Sequence, residues 1–216
     1  MPLTFLRTVF LCAIWALLTL AVLIPGRPAL ALDEVQRFVL SDINRHFNET
    51  RHMKGAFVQI GPNGERSEGQ FYMSKPGKIR FEYDAPSPLL IVANGRWVGI
   101  SDMRERTTER YPLASTPLKL LLKRDLSLMD ETEVLDVILT PELITVIVEE
   151  SAGESVGRLA LMFDGATYDL RQWVVTDAQG LDTSVALYNV LKEESDKRRL
   201  FVIPDYDRIQ EPERRG

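Results

Sequence analysis

The segment Ile79-Arg80-Phe81-Glu82-Tyr83-Asp84 alternates apolar and charged residues without a break. Period-two alternation sets Ile79, Phe81 and Tyr83 on one face of a strand and Arg80, Glu82 and Asp84 on the other. Such a strand has one wet face and one broad apolar face, and the fold must supply a cover for the second. Its neighbours repeat the problem. Gly69–Ser74 precedes it across a Lys75-Pro76-Gly77 turn, and Leu89–Ala93 follows a Pro-rich bend.

The same period runs through most of the chain. Further strands are predicted at Lys54–Ile60, Arg96–Ser101, Arg106–Tyr111, Val134–Leu139, Leu143–Glu149, Arg158–Phe163, Leu170–Thr176 and Asp182–Leu191, with Phe201–Ile203 as a last short one. The connections carry turn chemistry, including Gly61-Pro62-Asn63-Gly64 and Asn94-Gly95. Two segments break the pattern. Val35, Phe38, Val39, Ile43 and Phe47 recur at helical spacing behind an Asp33 cap, predicting a helix over 34–48. Ser115-Thr116-Pro117 then opens a leucine-rich insert, Leu118 to Leu122, read as a second helix. About eleven consecutive antiparallel strands must manage their edges by curling or splitting. The expected fold is mainly β with α: an incomplete, half-open antiparallel barrel whose two helices cannot cover the sheet from outside and so plug or lid its concave side.

The N-terminus reads as a leader. Arg7 precedes an apolar run of about 16 residues, Val9 to Ile24, which is short for a membrane span of roughly 20. Ala29-Leu30-Ala31 supplies a small-x-small cleavage pattern, so residues 1–31 are expected to be removed on export to the periplasm. The domain then runs over 32–205, with a charged tail over 206–216. Arg7 and Arg27 are the leader's only charges, so cleavage moves the net charge from −5 to −7 and leaves 185 of the 216 residues. An acidic chain is a poor partner for nucleic acid. Cleavage also removes Cys12, the only cysteine, and with it thiol and disulfide chemistry. No Gly-x-Ser-x-Gly elbow is present. His46 and His52 lack further ligands at coordinating spacing. The residues therefore predict no enzyme, no metal and no cofactor.

Taken in order, several short motifs resemble the outer-membrane lipoprotein carrier proteins of the LolA type. They are Gly55-x-Phe57-x-Gln59, Glu68-Gly69-x-Phe71, Lys75-Pro76-Gly77-Lys78-Ile79-Arg80-Phe81-Glu82-Tyr83, Asp84-Ala85-Pro86, Leu90-Ile91-Val92-Ala93-Asn94-Gly95 and Thr116-Pro117-Leu118-x-Leu120-Leu121-Leu122. The resemblance implies a hydrophobic cavity under a helical lid. It also implies a monomeric periplasmic carrier that takes acylated lipoproteins from an inner-membrane ABC transporter to the outer membrane, where a separate receptor is one form of acceptor. On that basis Phe57, Phe71, Ile79, Phe81, Tyr83, Trp97 and Ile100 are the expected acyl-binding wall. Leu118, Leu121 and Leu122 are the lid's inner face, and Lys75 and Arg80 are the basic residues that control it. Two departures stand out: the family often carries arginine where this chain has Lys75, and an aromatic before the aspartate corresponding to Asp102. The side chains alone leave an ordinary packed core and a permanently docked helix open as alternatives. A carrier or sensor of another periplasmic lipid is open on the same fold.

Overall fold

The computed structural model describes residues 32–149, 157–193 and 197–206. The expected leader and the tail from residue 207 lie outside them. Helix α1, Glu34–Glu49, comes first. Six strands follow: β1 His52–Ile60, β2 Arg66–Ser74, β3 Lys78–Tyr83, β4 Leu89–Asn94, β5 Trp97–Asp102 and β6 Thr107–Pro112. The insert then carries two single-turn helices, α2 Leu118–Leu121 and α3 Leu128–Glu131. Five strands complete the sheet: β7 Glu133–Leu139, β8 Leu143–Glu149, β9 Arg158–Asp164, β10 Leu170–Thr176 and β11 Asp182–Glu193.

All eleven strands form one antiparallel sheet in the order β6-β5-β4-β3-β2-β1-β11-β10-β9-β8-β7. Every pairing joins sequence neighbours except that of β1 with β11. The ends, β6 and β7, do not pair, so the barrel is incomplete. Its curl is visible in one distance. Strands β3 and β10 lie four spacings apart in the sheet, roughly 19 Å along a flat surface. Yet the rings of Phe81 and Trp173 approach to 6.2 Å between centroids. A β-bulge helps the bend: between Lys54 and Ala56 the register with β11 slips, and Asn189 opposite takes a positive φ of 53°. Gly55 is required there, because a Cβ would lie 2.8 Å from the Tyr188 carbonyl oxygen.

The core gathers on the concave face. It includes Phe57, Phe71, Ile79 and Phe81 from one half of the sheet and Val146, Leu161, Phe163 and Trp173 from the other. Helix α1 lies against this face through Leu40, Ile43 and Phe47, all buried. The helical spacing was right, but the buried stripe is rotated: Val35 and Phe38 are exposed and Leu40 takes the inward position. Asp33 caps α1 in a reciprocal box with Gln36, each side chain accepting the other's backbone N–H, at 2.7 and 2.9 Å.

Two expectations about elements are corrected. The insert is not one helix. Leu120, Leu121 and Leu122 are all buried, and three successive residues cannot share one helical face, so the segment wraps after a single turn. Phe201–Ile203 is not a strand either. Arg198–Phe201 forms a 3-10 turn, and Phe201 and Ile203 pack with Leu90 and Val92 on the outer face of β4. The segment is held as a strap by side-chain insertion, not by ladder pairing.

Gly69 sits between Phe57 of β1 and Tyr83 of β3 in register, and a Cβ there would fall 1.9 Å from the Glu82 carbonyl oxygen. Gly69→Ala should therefore force β2 and β3 apart and destabilise the protein by roughly 2 kcal/mol. Urea unfolding read by tryptophan fluorescence checks this.

Candidate functional site

Cross-strand partners share a face of a sheet. Phe71 pairs with Phe81, Phe81 with Ile91 and Ile91 with Ile100. Phe57 pairs with Leu187 on β11. The expected wall residues Phe57, Phe71, Ile79, Phe81 and Tyr83 thus meet on the concave face. Phe57, Phe71 and Ile79 are 0% exposed. Phe57 holds Phe81 and Tyr83 edge-on, each with centroids 5.0 Å away. Ile100 stands on this face too, but at its rim, 37% exposed.

Trp97 does not join them. It lies three residues from Ile100 in one strand, and an odd spacing places two residues on opposite faces. Trp97 opens onto the outer face, beside Phe201 and Ile203 of the strap, where it helps line a groove of about 650 Å³. Arg80 is on the outer face for the same reason, between Ile79 and Phe81. Its guanidinium pairs with Glu82 and donates to the Leu200 carbonyl oxygen at 3.0 Å. Arg80 fixes the strap and does not touch the insert through these bonds.

Over the concave face lies the leucine-rich insert. Leu121, Leu122, Leu126 and Leu128 are buried against the same core as Phe57 and Phe81, and Leu118 is partly buried against it. The polar attachments of the insert run to α1, to Arg51 just beyond it and to the β2–β3 turn. The Asn48 side chain both donates to the Leu126 carbonyl oxygen and accepts its N–H, at 2.9 and 2.8 Å. The Leu128 N–H donates to Asn44 Oδ1 at 3.3 Å, and Arg51 reaches Asp125 at 3.0 Å. From the turn, the Gly77 N–H donates to the Leu122 carbonyl oxygen at 2.7 Å.

Lys75, in that same turn, is 4% exposed. Its ammonium donates to the Phe47 carbonyl oxygen in the last turn of α1 and lies 3.7 Å from the centroid of the Phe47 ring. Cation–π contact and the helix C-terminus both favour the charge. Desolvation is the larger effect and, with the nearby Arg51, it pushes the amine down to about 8 against the pull of Asp125. At the same end of α1, His46 Nε2 meets Asp169 at 2.8 Å, tying the helix to the β9–β10 turn.

The concave wall thus has a second half that residue type alone did not single out. Leu161, Phe163 and Trp173 supply it, and the alternations Leu159-x-Leu161-x-Phe163 and Ile144-x-Val146-x-Val148 carry the signal. Likewise Leu126 and Leu128 complete the inner surface of the insert.

Fold and site together define an antiparallel half-barrel whose apolar concave face is covered by α1 and the insert. The model of the family "Outer membrane lipoprotein carrier protein LolA" matches residues 48–204, and the chain belongs to that family. An outer-membrane lipoprotein carrier protein of Dechloromonas aromatica is 28% identical over 170 residues, 72% of this chain and 74% of the relative. One of Pseudomonas aeruginosa is 24% identical over 181 residues, 76% and 84% respectively. Among solved structures, a LolA superfamily protein from Nitrosomonas europaea aligns with a TM-score of 0.42 at 10% identity, covering 76% of this chain and 97% of that one. A chain of the Pseudomonas aeruginosa MucA/MucB complex aligns at 0.44 and 15%, covering 75% and 60%.

The Lys75 amine loses its proton at lower pH in the folded chain than in the unfolded one, whose value is near 10.4. Between about pH 8 and 10 the unfolded state holds more protons, so this residue makes stability rise with pH. Lys75→Met removes that contribution. The stability difference between wild type and Lys75→Met should shift in favour of wild type from pH 7.5 to 9.5, measured by urea midpoints.

Proposed function

We propose that this protein is a periplasmic carrier of acylated lipoproteins. In this reading it buries their acyl chains on the concave face when the leucine-rich insert withdraws. The observation that supports the reading most directly is the pairing of a continuous apolar wall, Phe57 through Phe81 to Trp173, with a cover fastened to α1 and the β2–β3 turn. The wall needs an apolar partner, and the insert supplies it in this state. Acyl chains offer the same chemistry, about 0.8 kcal/mol for each buried CH₂. Phe57, Phe71, Ile79, Phe81 and Tyr83 are the acyl-binding residues of this proposal, with Ile100 at the rim and Leu118, Leu121 and Leu122 on the lid.

Membranes provide the same driving force, so only the difference in affinity between carrier and membrane directs transfer. A cover that competes with cargo for the wall lowers the carrier's net affinity and lets it release. The partners that complete the cycle are an inner-membrane ABC transporter that hands over the lipoprotein and an acceptor at the outer membrane. Export by the leader over 1–31 places the chain between them. Among the described residues no helix is long and apolar enough to cross a membrane.

Purified protein incubated with spheroplasts should yield a soluble one-to-one complex with an acylated lipoprotein, and none with the form whose acylated cysteine is replaced by serine. Recovery of other lipids with no lipoprotein released would overturn the assignment. Asn48→Ala removes both hydrogen bonds to Leu126 and should loosen the cover. The expected result is a stability loss of about 1–2 kcal/mol together with faster cargo uptake in the same assay.

A further inference from the structure

The concave face holds one hydrogen-bonded polar pair that the packing of aromatic and aliphatic residues does not need. Tyr83 donates its hydroxyl to Gln59 Oε1 at 2.7 Å. The two residues reach each other across β2. Gln59 lies two positions beyond Phe57 on β1, and Tyr83 pairs with Gly69, which faces Phe57. Gly69 carries no side chain to stand between them. Burial pushes the Tyr83 phenol up to about 12, so it stays a neutral donor.

The pair sits at the limit of the apolar wall. On its inner side Phe57 is fully buried, while Gln59 and Tyr83 are half-buried. With Oε1 engaged by Tyr83, the two N–H groups of the Gln59 amide remain, and no described residue accepts from them. Ser67, the register partner of Gln59 on β2, adds a half-buried hydroxyl on the same face. Fixed donors at the edge of an apolar surface match a ligand that is apolar over most of its length and carries hydrogen-bond acceptors where it ends.

We propose that Gln59, oriented by Tyr83, binds the carbonyl oxygens at the junction between acyl chains and head group of a glyceryl-ester lipid attached to the cargo. This rests on the reading that acyl chains occupy the concave face, and it adds a basis for choosing among apolar ligands. Carbonyls accept and do not donate, as Gln59 Nε2 requires. A plain hydrocarbon fills the wall equally well but offers the amide no acceptor, and a dialkyl ether lacks the carbonyl oxygens and offers only its weaker ether oxygens. Gln59 is the contacting residue and Tyr83 the positioning residue.

The test uses protein expressed with its own leader and purified, and two synthetic peptides. One carries a dipalmitoyl glyceryl group on its N-terminal cysteine, and the other carries the dialkyl ether analogue of equal chain length. Wild type should bind the ester roughly five- to tenfold more tightly than the ether, the worth of one neutral hydrogen bond. Gln59→Met should bring the ratio close to one by weakening only the ester, and Tyr83→Phe should lower it part of the way. A ratio near one in wild type overturns the role of the pair, whether or not the variants fold. So does an unchanged ratio in folded Gln59→Met. Failure of wild type to bind either peptide overturns the underlying reading of the concave face, and this proposal with it.

Discussion

The curl of the sheet is the constraint on which the rest of the molecule depends. Because Phe81 of β3 comes within ring contact of Trp173 on β10, two distant stretches of one sheet share a single core. That core has more apolar wall than one helix can cover. Helix α1 supplies Leu40, Ile43 and Phe47, and the leucine-rich insert supplies the remainder. The insert has little secondary structure of its own, two helices of one turn each. Its place is set by the wall beneath it and by a few polar bonds to α1 and the β2–β3 turn. Each buried leucine contributes about 2 kcal/mol, and each ordered residue costs about 1–2. The hold of such a segment is a small difference between large terms, which fits the proposed role of a cover that gives way to cargo.

Lys75 and Gly77 join the two parts of the cover to one turn. Lys75 meets the C-terminal turn of α1, and two residues later Gly77 meets Leu122. An arginine, frequent in the family at this position, would bring a fork of donors that stay charged. The lysine here brings a single point charge whose pKa burial lowers to about 8.

Most of the fold was legible in the sequence because the sheet is a succession of short alternating runs. β8 and β10 fall on the residues that alternation marks, and the other strands differ by a few residues at their ends. Where the reading failed, residue type had been followed in place of register. Trp97 is large and aromatic, but it cannot share a face with Ile100 three residues away. Arg80 was read onto the wet face, where it stands, but its partner there, the strap, was not visible. The strap was misread as a strand for a different reason. Phe201 and Ile203 have strand spacing, and only the three-dimensional structure shows that they insert into the outer face of β4. The Gln59–Tyr83 bond was out of reach as well, since it needs the glycine between them and the register of three strands.

The strap also makes the two walls of the half-barrel mechanically unequal. Around β4 the wall has three layers: inner side chains, the sheet, and Phe201 with Ile203 outside it. Arg80 and Arg110 fasten the outer layer through the carbonyl oxygens of Leu200 and Pro204. Gly99 locks it in register, since even a methyl group there would lie 2.4 Å from the Ile203 side chain. The described residues of β7 to β9 contribute to the inner core, and no second cluster backs them from outside. Stiffness is therefore concentrated on one side. In the proposed carrier cycle, a widening of the concave space would leave the strapped wall as the fixed jaw and send the displacement to the strands that lead to the free edge at β7.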